Sequence, residues 1–414
     1  MQHFNLKEIF LNLKEYFPAL SKMERIKGGL GDSSYTGAAW VFIRSSGVWV
    51  QQGSKLVGTG AIGSAWQGYS VSLSADGNTA IVGGMGDSSG MGAVWVFIRS
   101  GGIWTQQGNK LVGSGAIGAA HQGTSISISS DGNTILSGGS GDNNSEGAAW
   151  VFTRTSGVWT QQGNKLIGTS SAGSGQGNSV AISSDGNTSI IGGQGDGGGI
   201  GAVWMYTRTG GVWTQQGNKL VGTGFVGNSS QGNTVSISYS GDTAVVGGLN
   251  DNSNTGAVWI YTRTSNIWTQ LGSKLIGTGA VNSGNGVYQG WSVAISSDGH
   301  TIIEGGRNDS NGFGAAWVFY NSASGIGEVN NSKETISIFP NPTTSTITIH
   351  QDTYSPNQQI IISDVLGNKV YSQALNTATE TIDISHLRSG IYFYEVKGSG
   401  LQIPTSVRGK IIKE

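Results

Sequence analysis

The segment Gly-Ala-x-Trp returns six times in this chain, with its tryptophan at Trp40, Trp95, Trp150, Trp204, Trp259 and Trp317, a period of 54 to 58 residues. A fixed period of that order marks a solenoid or propeller, in which no unit can bury its apolar face alone. A second tryptophan follows nine residues later in five copies, at Trp49, Trp104, Trp159, Trp213 and Trp268, each opening a version of WTQQGNKL; the sixth copy lacks it. The second copy contains four strand-like runs, QGYSVSLS, TAIVGG, GAVWVFIRS and IWTQQGNKLVG, each short and bounded by turn residues. Asp-Gly lies between the first two, at Asp76-Gly77 and its equivalents, a dipeptide suited to tight hairpins because it tolerates positive φ. In GAVWVF, Trp95 and Phe97 share one face while Val94 and Val96 share the other, so the strand must be covered on both sides. Stacked antiparallel blades supply that cover. The pattern predicts an all-β chain: a β-propeller of about six four-stranded blades over residues 28–320, with incomplete end blades.

Composition narrows the function classes. Gly supplies 71 residues and charged side chains only 11%, so turns are many. The 13 Trp, 12 Tyr and 11 Phe separate the chain from disordered sequences. A net charge of -1 gives no attraction to nucleic acid or to an anionic membrane. There is no cysteine, which excludes thiolate metal sites and a cysteine nucleophile. No run approaches the roughly 20 apolar residues of a membrane span. Residues 1–27 form an atypical N-terminal segment: Leu6, Ile9, Phe10, Leu13, Phe17 and Leu20 have the spacing of a short amphipathic helix, but Lys7, Glu8, Lys14 and Glu15 interrupt any signal-peptide core.

QGYSVSLSADGNTAIVGG followed by GAVWVF resembles the FG-GAP repeat of integrin-type propellers. Calcium-binding members of that family carry a loop of several Asp and Asn residues between the first two strands. The loop here is Ser-Ala-Asp-Gly-Asn-Thr, and Tyr239, Ser240, Gly241 and Asp242 replace it in one copy. Calcium needs six to eight oxygen donors, so the shortened loop reads as a hairpin and no cofactor is expected.

All five prolines, Pro18, Pro340, Pro342, Pro356 and Pro404, lie outside the repeats, and a different composition begins near residue 336. Residues 321–335 read as a polar linker, and 336–414 as a small Ig-like β-sandwich with turn signals every 8 to 12 residues. IFPNPTTSTITI with Pro340, Asn341 and Pro342, then Gly367, Gly390 and the terminal KIIKE with Lys410, resembles the type A C-terminal sorting domain of the Bacteroidetes type IX secretion system. The resemblance implies export to the outer-membrane surface or beyond, with the type IX machinery as partner.

Chemistry-bearing residues are sparse. His3, His121, His300, His350 and His386 follow no ligand spacing, and no HExxH occurs, so no catalytic residue is assigned and the chain reads as no enzyme. An aspartate recurs three residues after each Gly-Gly pair, at Asp32, Asp87, Asp142, Asp196, Asp251 and Asp309, either capping its own backbone or forming a ring of weak cation sites. Single arginines (Arg44, Arg99, Arg154, Arg208, Arg263) and lysines (Lys55, Lys110, Lys165, Lys219, Lys274) recur likewise, read as solvated or inter-blade charges. The repeated tryptophans read as core. Positions that differ between copies are more informative, because variable loops on a shared scaffold confer specificity. Around each Gln-Gly pair these are Trp66, Tyr69, His121, Tyr288 and Trp291, the candidate contacts for an extracellular glycan or protein ligand. The reading is a secreted or surface-displayed binding or adhesion protein; the alternatives are a cell-surface layer component without a ligand and a cryptic hydrolase.

The repeat count reaches 22 strands where six blades need 24. A WTQQ strand and an SVS strand are wanting, as is a signal peptide, so an N-terminally truncated chain is expected; the alternative is that residues 1–27 are genuine and the ring is imperfect or open. Genomic DNA upstream of Met1 is then expected to hold an in-frame WTQQGxKL segment; its absence contradicts the expectation.

Overall fold

The structure, a computed structural model, describes residues 24–45, 48–170, 172–322, 325–328, 336–351, 358–364, 368–398 and 406–414. The chain divides into two compact units, Met1–Val329 and Asn330–Glu414.

In the first unit each repeat forms one antiparallel sheet. The first sheet has three strands, β1 (Glu24–Gly29), β2 (Ala38–Ser45) and β3 (Val48–Gln51). The second has four, β4 (Ser70–Leu73), β5 (Thr79–Gly84), β6 (Ala93–Ser100) and β7 (Ile103–Gln106), in sequence order. The third to sixth sheets, within 125–161, 179–215, 231–270 and 292–328, repeat this order. The short first strands of successive sheets face one another. A ladder of backbone hydrogen bonds joins their ends: Ala75 N donates to Ser130 O, Ser130 N to Ser184 O, Ser184 N to Tyr239 O, and Tyr239 N to Ser297 O, at 2.9–3.1 Å. This is a propeller hub.

Two expectations are corrected. The described repeats contain 23 strands, because Gly325–Glu328 pairs with Ala315–Ser322 and completes the sixth sheet without a tryptophan. That strand lies inside the stretch read as a linker from 321 to 335. The helix expected over 1–27 gives way at its end to β1, which begins at Glu24; the rest of that segment lies outside the described residues. Among the described residues no first strand pairs beside β1.

The sheets are joined by the residues that repeat most faithfully. Trp95, Trp150, Trp204 and Trp259 are fully buried. A Cβ on Gly58, at the end of the first repeat, would come within 1.9 Å of Trp95 Cδ1, so the indole lies flat on bare backbone; Gly113, Gly168, Gly222 and Gly277 meet the next tryptophan in the same way. Trp95 Nε1 donates to Thr59 O at 2.8 Å, which satisfies the indole's one polar atom. Buried Gln67 then accepts from Gly58 N at 2.6 Å and donates to Gly58 O at 2.9 Å, holding that glycine against the indole. A second set crosses the same boundary: Gln52 Oε1 accepts from Arg99 Nη1 at 2.9 Å and Trp104 Nε1 at 3.1 Å. Arg99 also stands 5.4 Å from the Trp104 ring centroid, a cation–π contact. Of the two readings kept for the repeated arginines, inter-blade pairing is realised at Arg99, Arg154, Arg208 and Arg263.

Among the described residues nothing covers the outer face of the first or the last sheet as the sheets cover one another. Trp40 is only half-buried, and among the described residues no earlier repeat lays a glycine on it. At the other end, Gly305 and Gly314 meet only their own sheet, whereas Gly83 and Gly92 meet Gly123 and Gln122 of the following repeat. Among the described residues no hydrogen bond of the hub continues from Ser297 to the first sheet.

The Asp-Gly hairpins are closed by their own side chains. Asp131 Oδ1 accepts from Ser129 Oγ at 2.5 Å and Asn133 N at 2.9 Å, and Oδ2 from Asn133 Nδ2 at 3.1 Å. Partial burial alone would raise the Asp131 pKa, but these bonds and the Arg208 charge outweigh it and the carboxyl titrates below its ordinary value; Asp76, Asp185 and Asp298 are likewise lowered.

Two outcomes follow. Trp95→Ala removes a fully buried side chain and should cost about 3–5 kcal/mol, while Trp40→Ala should lower the denaturation midpoint distinctly less; equal losses would contradict an uncovered first sheet. A carboxyl whose folded pKa is depressed stabilises above its unfolded value, near pH 3.9, and that contribution disappears as pH falls through the folded value. The stability gap between wild type and Asp131→Asn should therefore be widest near neutrality and close on acidification, as read from denaturation midpoints between about pH 7 and pH 2. A gap independent of pH would refute it.

Candidate functional site

Each Asp that recurs after Gly-Gly opens a single tight turn, Asp87–Gly90 in the second repeat, whose interior is left-handed: Ser88 has φ 52° and Ser89 φ 60°. L-residues pay steric energy there, least so Asn and Gly, which accounts for Ser, Asn and Gly at these positions in every copy. Asp87 is fully buried, with Oδ1 accepting from Ile62 N at 2.8 Å and Oδ2 from Ser88 Oγ at 2.8 Å. Lys110 Nζ lies 2.5 Å from Oδ2. Asp142 with Lys165, Asp196 with Lys219, Asp251 with Lys274 and Asp32 with Lys55 repeat the ion pair. The position 23 residues after Asp309 is Ser332 in place of lysine and lies outside the described residues. The cation-site reading of this ring is overturned in the first five copies, where an ammonium stands in the place a metal would take. The self-capping reading also fails, since Oδ1 reaches the neighbouring loop. Among the described residues no three His, Asp or Glu side chains gather as metal ligands.

The variable positions lie beside these turns. The residue before each Gln-Gly pair is left-handed in every copy: Trp66 at φ 57°, His121 at 57°, Gly175 at 64°, Ser230 at 56° and Tyr288 at 60°. The backbone fixes that angle through shared bonds, as where His121 N donates to Gly90 O at 2.8 Å and Tyr288 N to Asn254 O at 2.8 Å. Glycine fits it without strain, as Gly175 shows. Large aromatics there are outliers.

The structure brings the candidate residues together in two groups. Trp66 and His121 line one hollow of about 290 Å³ with Ser64, Met85, Ser89 and Gly90. Tyr69 follows Trp66 in the same turn, its N donating to Trp66 O at 3.0 Å, and is 43% exposed. Tyr288 lines a second, repeat-equivalent hollow of about 780 Å³ between the fifth and sixth sheets, and Trp291 adjoins it through Arg307. The two hollows share no residue. Sequence reasoning missed Met85 and Arg307. Both occupy the position after Gly-Gly, which reads Leu30, Met85, Ser140, Gln194, Leu249 and Arg307 along the chain, so the variability that singled out Trp66 was there to be read.

The second unit is a β-sandwich. A three-stranded sheet, Ile336–Phe339, Thr346–Gln351 and Thr379–Asp383, packs on a four-stranded one through Ile347, Ile349, Ile360, Ile362, Ile382 and Ile411. Its two sequence motifs meet. In the Pro340-Asn341-Pro342 turn, Asn341 Oδ1 accepts from Ile412 N at 2.8 Å, and Thr343 N donates to Ile412 O at 2.9 Å. Glu414 N returns a bond to Thr343 O at 2.8 Å. Lys410 lies in the final strand, Ser406–Lys413, opposite Phe393, and Gly390 pairs with Lys413. Gly367 lies outside the described residues. Among the described residues no helix is long and apolar enough to cross a membrane.

Comparison with curated proteins finds no match. Among solved structures the chain is similar to a Kuenenia stuttgartiensis hydrazine synthase, at 13% identity and a TM-score of 0.40, covering 72% of this chain and 79% of that one. It is also similar to a GH74 xyloglucanase from Xanthomonas campestris, at 13% identity and a TM-score of 0.44, covering 81% and 50%. Residues 337–414 match the secretion system C-terminal sorting domain. That segment is a type IX sorting domain, and the chain carrying it is a substrate of that machinery, exported to the outer-membrane surface or beyond.

Proposed function

We propose that this is a non-enzymatic binding or adhesion protein whose propeller unit engages an extracellular glycan or protein through the hollows beside the Gln-Gly turns. One observation carries the reading. Trp66, His121 and Tyr288 stand in left-handed conformation at a position where glycine serves in the third repeat. A bulky residue held there costs on the order of 1–3 kcal/mol and persists where the surroundings or a function demand it. The fold does not demand it, because the shared contacts of this turn are made by backbone atoms. Both aromatic pairs border open hollows of ligand-accepting size. Neither hollow is lined by a carboxylate, so neither offers the acid–base pair that hydrolysis of a sugar linkage uses.

The test is a glycan-array screen of the full chain beside Trp66→Gly and Tyr288→Gly. Relief of the strained φ should leave the denaturation midpoints of both variants unchanged or raised, while binding through the corresponding hollow disappears. Undiminished binding in both folded variants would overturn the proposal.

A further inference from the structure

The hollow between the fifth and sixth sheets carries a group that its counterparts lack. Arg307 replaces the Leu, Met, Ser or Gln of the other copies. Its guanidinium carbon lies 3.6 Å from the Trp291 ring centroid and 5.1 Å from that of Tyr288. Stacking holds the guanidinium plane in place and leaves its N–H donors around the edge, where a planar anion is recognised in bidentate fashion. The other arginines in their sheets are committed to protein: Arg154 to Asn133 and Gln107, Arg208 to Asn187 and Gln162, Arg263 to Asp242. No described residue accepts a hydrogen bond from the Arg307 guanidinium, and the side chain is exposed.

The remaining lining is amide-rich. Asn282 Oδ1 accepts from Gly284 N at 2.9 Å and Gly286 N at 3.0 Å, which turns the amide Nδ2 into the free donor. Asn308 Nδ2 donates to Gly286 O at 2.9 Å, which leaves its Oδ1 as the free acceptor. Asn254 and Ser253 complete the rim. Hydroxyl groups of a sugar pair with such a mixture of donors and acceptors. A peptide would look for apolar anchor pockets, and no aliphatic side chain lines this hollow.

We propose that this hollow binds an anionic saccharide, its carboxylate or sulfate seated on the edge of Arg307 and its hydroxyls on Asn254, Asn282 and Asn308. The inference rests on the binding reading above and names the ligand class of one of its hollows.

Titration calorimetry of the full chain with an oligogalacturonate, a sulfated oligosaccharide, a carboxyl-reduced neutral oligomer of equal length and poly-glutamate tests it. Arg307→Leu, which installs the residue of the preceding repeat, and Val158→Thr, at an exposed strand position outside both hollows, serve as variants. The expected result is saturable binding of one acidic saccharide, at least about tenfold weaker for the neutral oligomer and for Arg307→Leu, weakened by salt and unchanged by Val158→Thr. The better of the two acidic ligands identifies carboxylate or sulfate as the anion. Equal affinity for acidic and neutral oligomers, indifference to Arg307→Leu, or poly-glutamate binding as tight as the saccharide would overturn it. Neutral-glycan binding that is lost in Tyr288→Gly but kept in Arg307→Leu overturns this inference alone. Failure of every saccharide on this chain and on the array overturns the glycan reading with it.

Discussion

An indole lying on a glycine is the contact on which the propeller unit depends. Each repeat ends in a bare backbone step, Gly58 in the first, and the next repeat lays Trp95 flat against it, with no room for even a methyl group between them. The indole N–H takes the following carbonyl, and Gln67 fixes both polar atoms of the glycine. Packing, hydrogen bonding and register are thus settled by four residue types, Gly, Trp, Thr or Ser, and Gln, recurring at fixed offsets. A larger residue in place of the glycine has no room beside the indole, and replacing the tryptophan or the glutamine leaves a cavity or an unpaired buried polar group. The sequence therefore repeats most faithfully where the sheets touch.

The second inter-sheet contact shows the same coupling through its one exception. The glutamine that receives Arg99 and Trp104 at the first boundary, Gln52, has Leu271 as its counterpart at the last boundary. There the positions of the arginine and tryptophan hold Asn321 and Ile326. A buried glutamine oxygen with no donor would cost more than an apolar replacement, and Leu271 packs instead with Val258, Ile302 and Trp317. The acceptor and both of its donors are replaced together at this one boundary, which is what a single physical contact requires.

The repeats were legible because burial on both faces and closed hairpins each leave a periodic mark. Six tryptophans at one spacing set the number of sheets, and Asp-Gly set the pairing of their first two strands. The strand Gly325–Glu328 escaped because it carries neither tryptophan nor glutamine; it pairs through backbone, which leaves no side-chain pattern. The aspartate ring was misread because its partner, the lysine 23 residues later, lies across the sheet, and chain distance hides that proximity. Of the candidate site, Trp66, His121, Tyr288 and Trp291 were found from variation between copies. That variation could not say that two of them share one hollow, nor that their backbone is left-handed, since a turn's φ belongs to the contacts around it.

The account of the site turns on one physical claim, that the position before Gln-Gly penalises every side chain and is filled by Trp, His and Tyr for contact with a ligand. Gly175 isolates it. A Cβ built there meets nothing within 4 Å, so any cost of substitution comes from the φ of 64° alone. The decisive measurement is the denaturation midpoint of Gly175→Tyr against wild type. A loss of about 1 kcal/mol or more is the result the account predicts; an unchanged midpoint would mean that the left-handed position is no burden, and that its aromatics need no ligand to explain them.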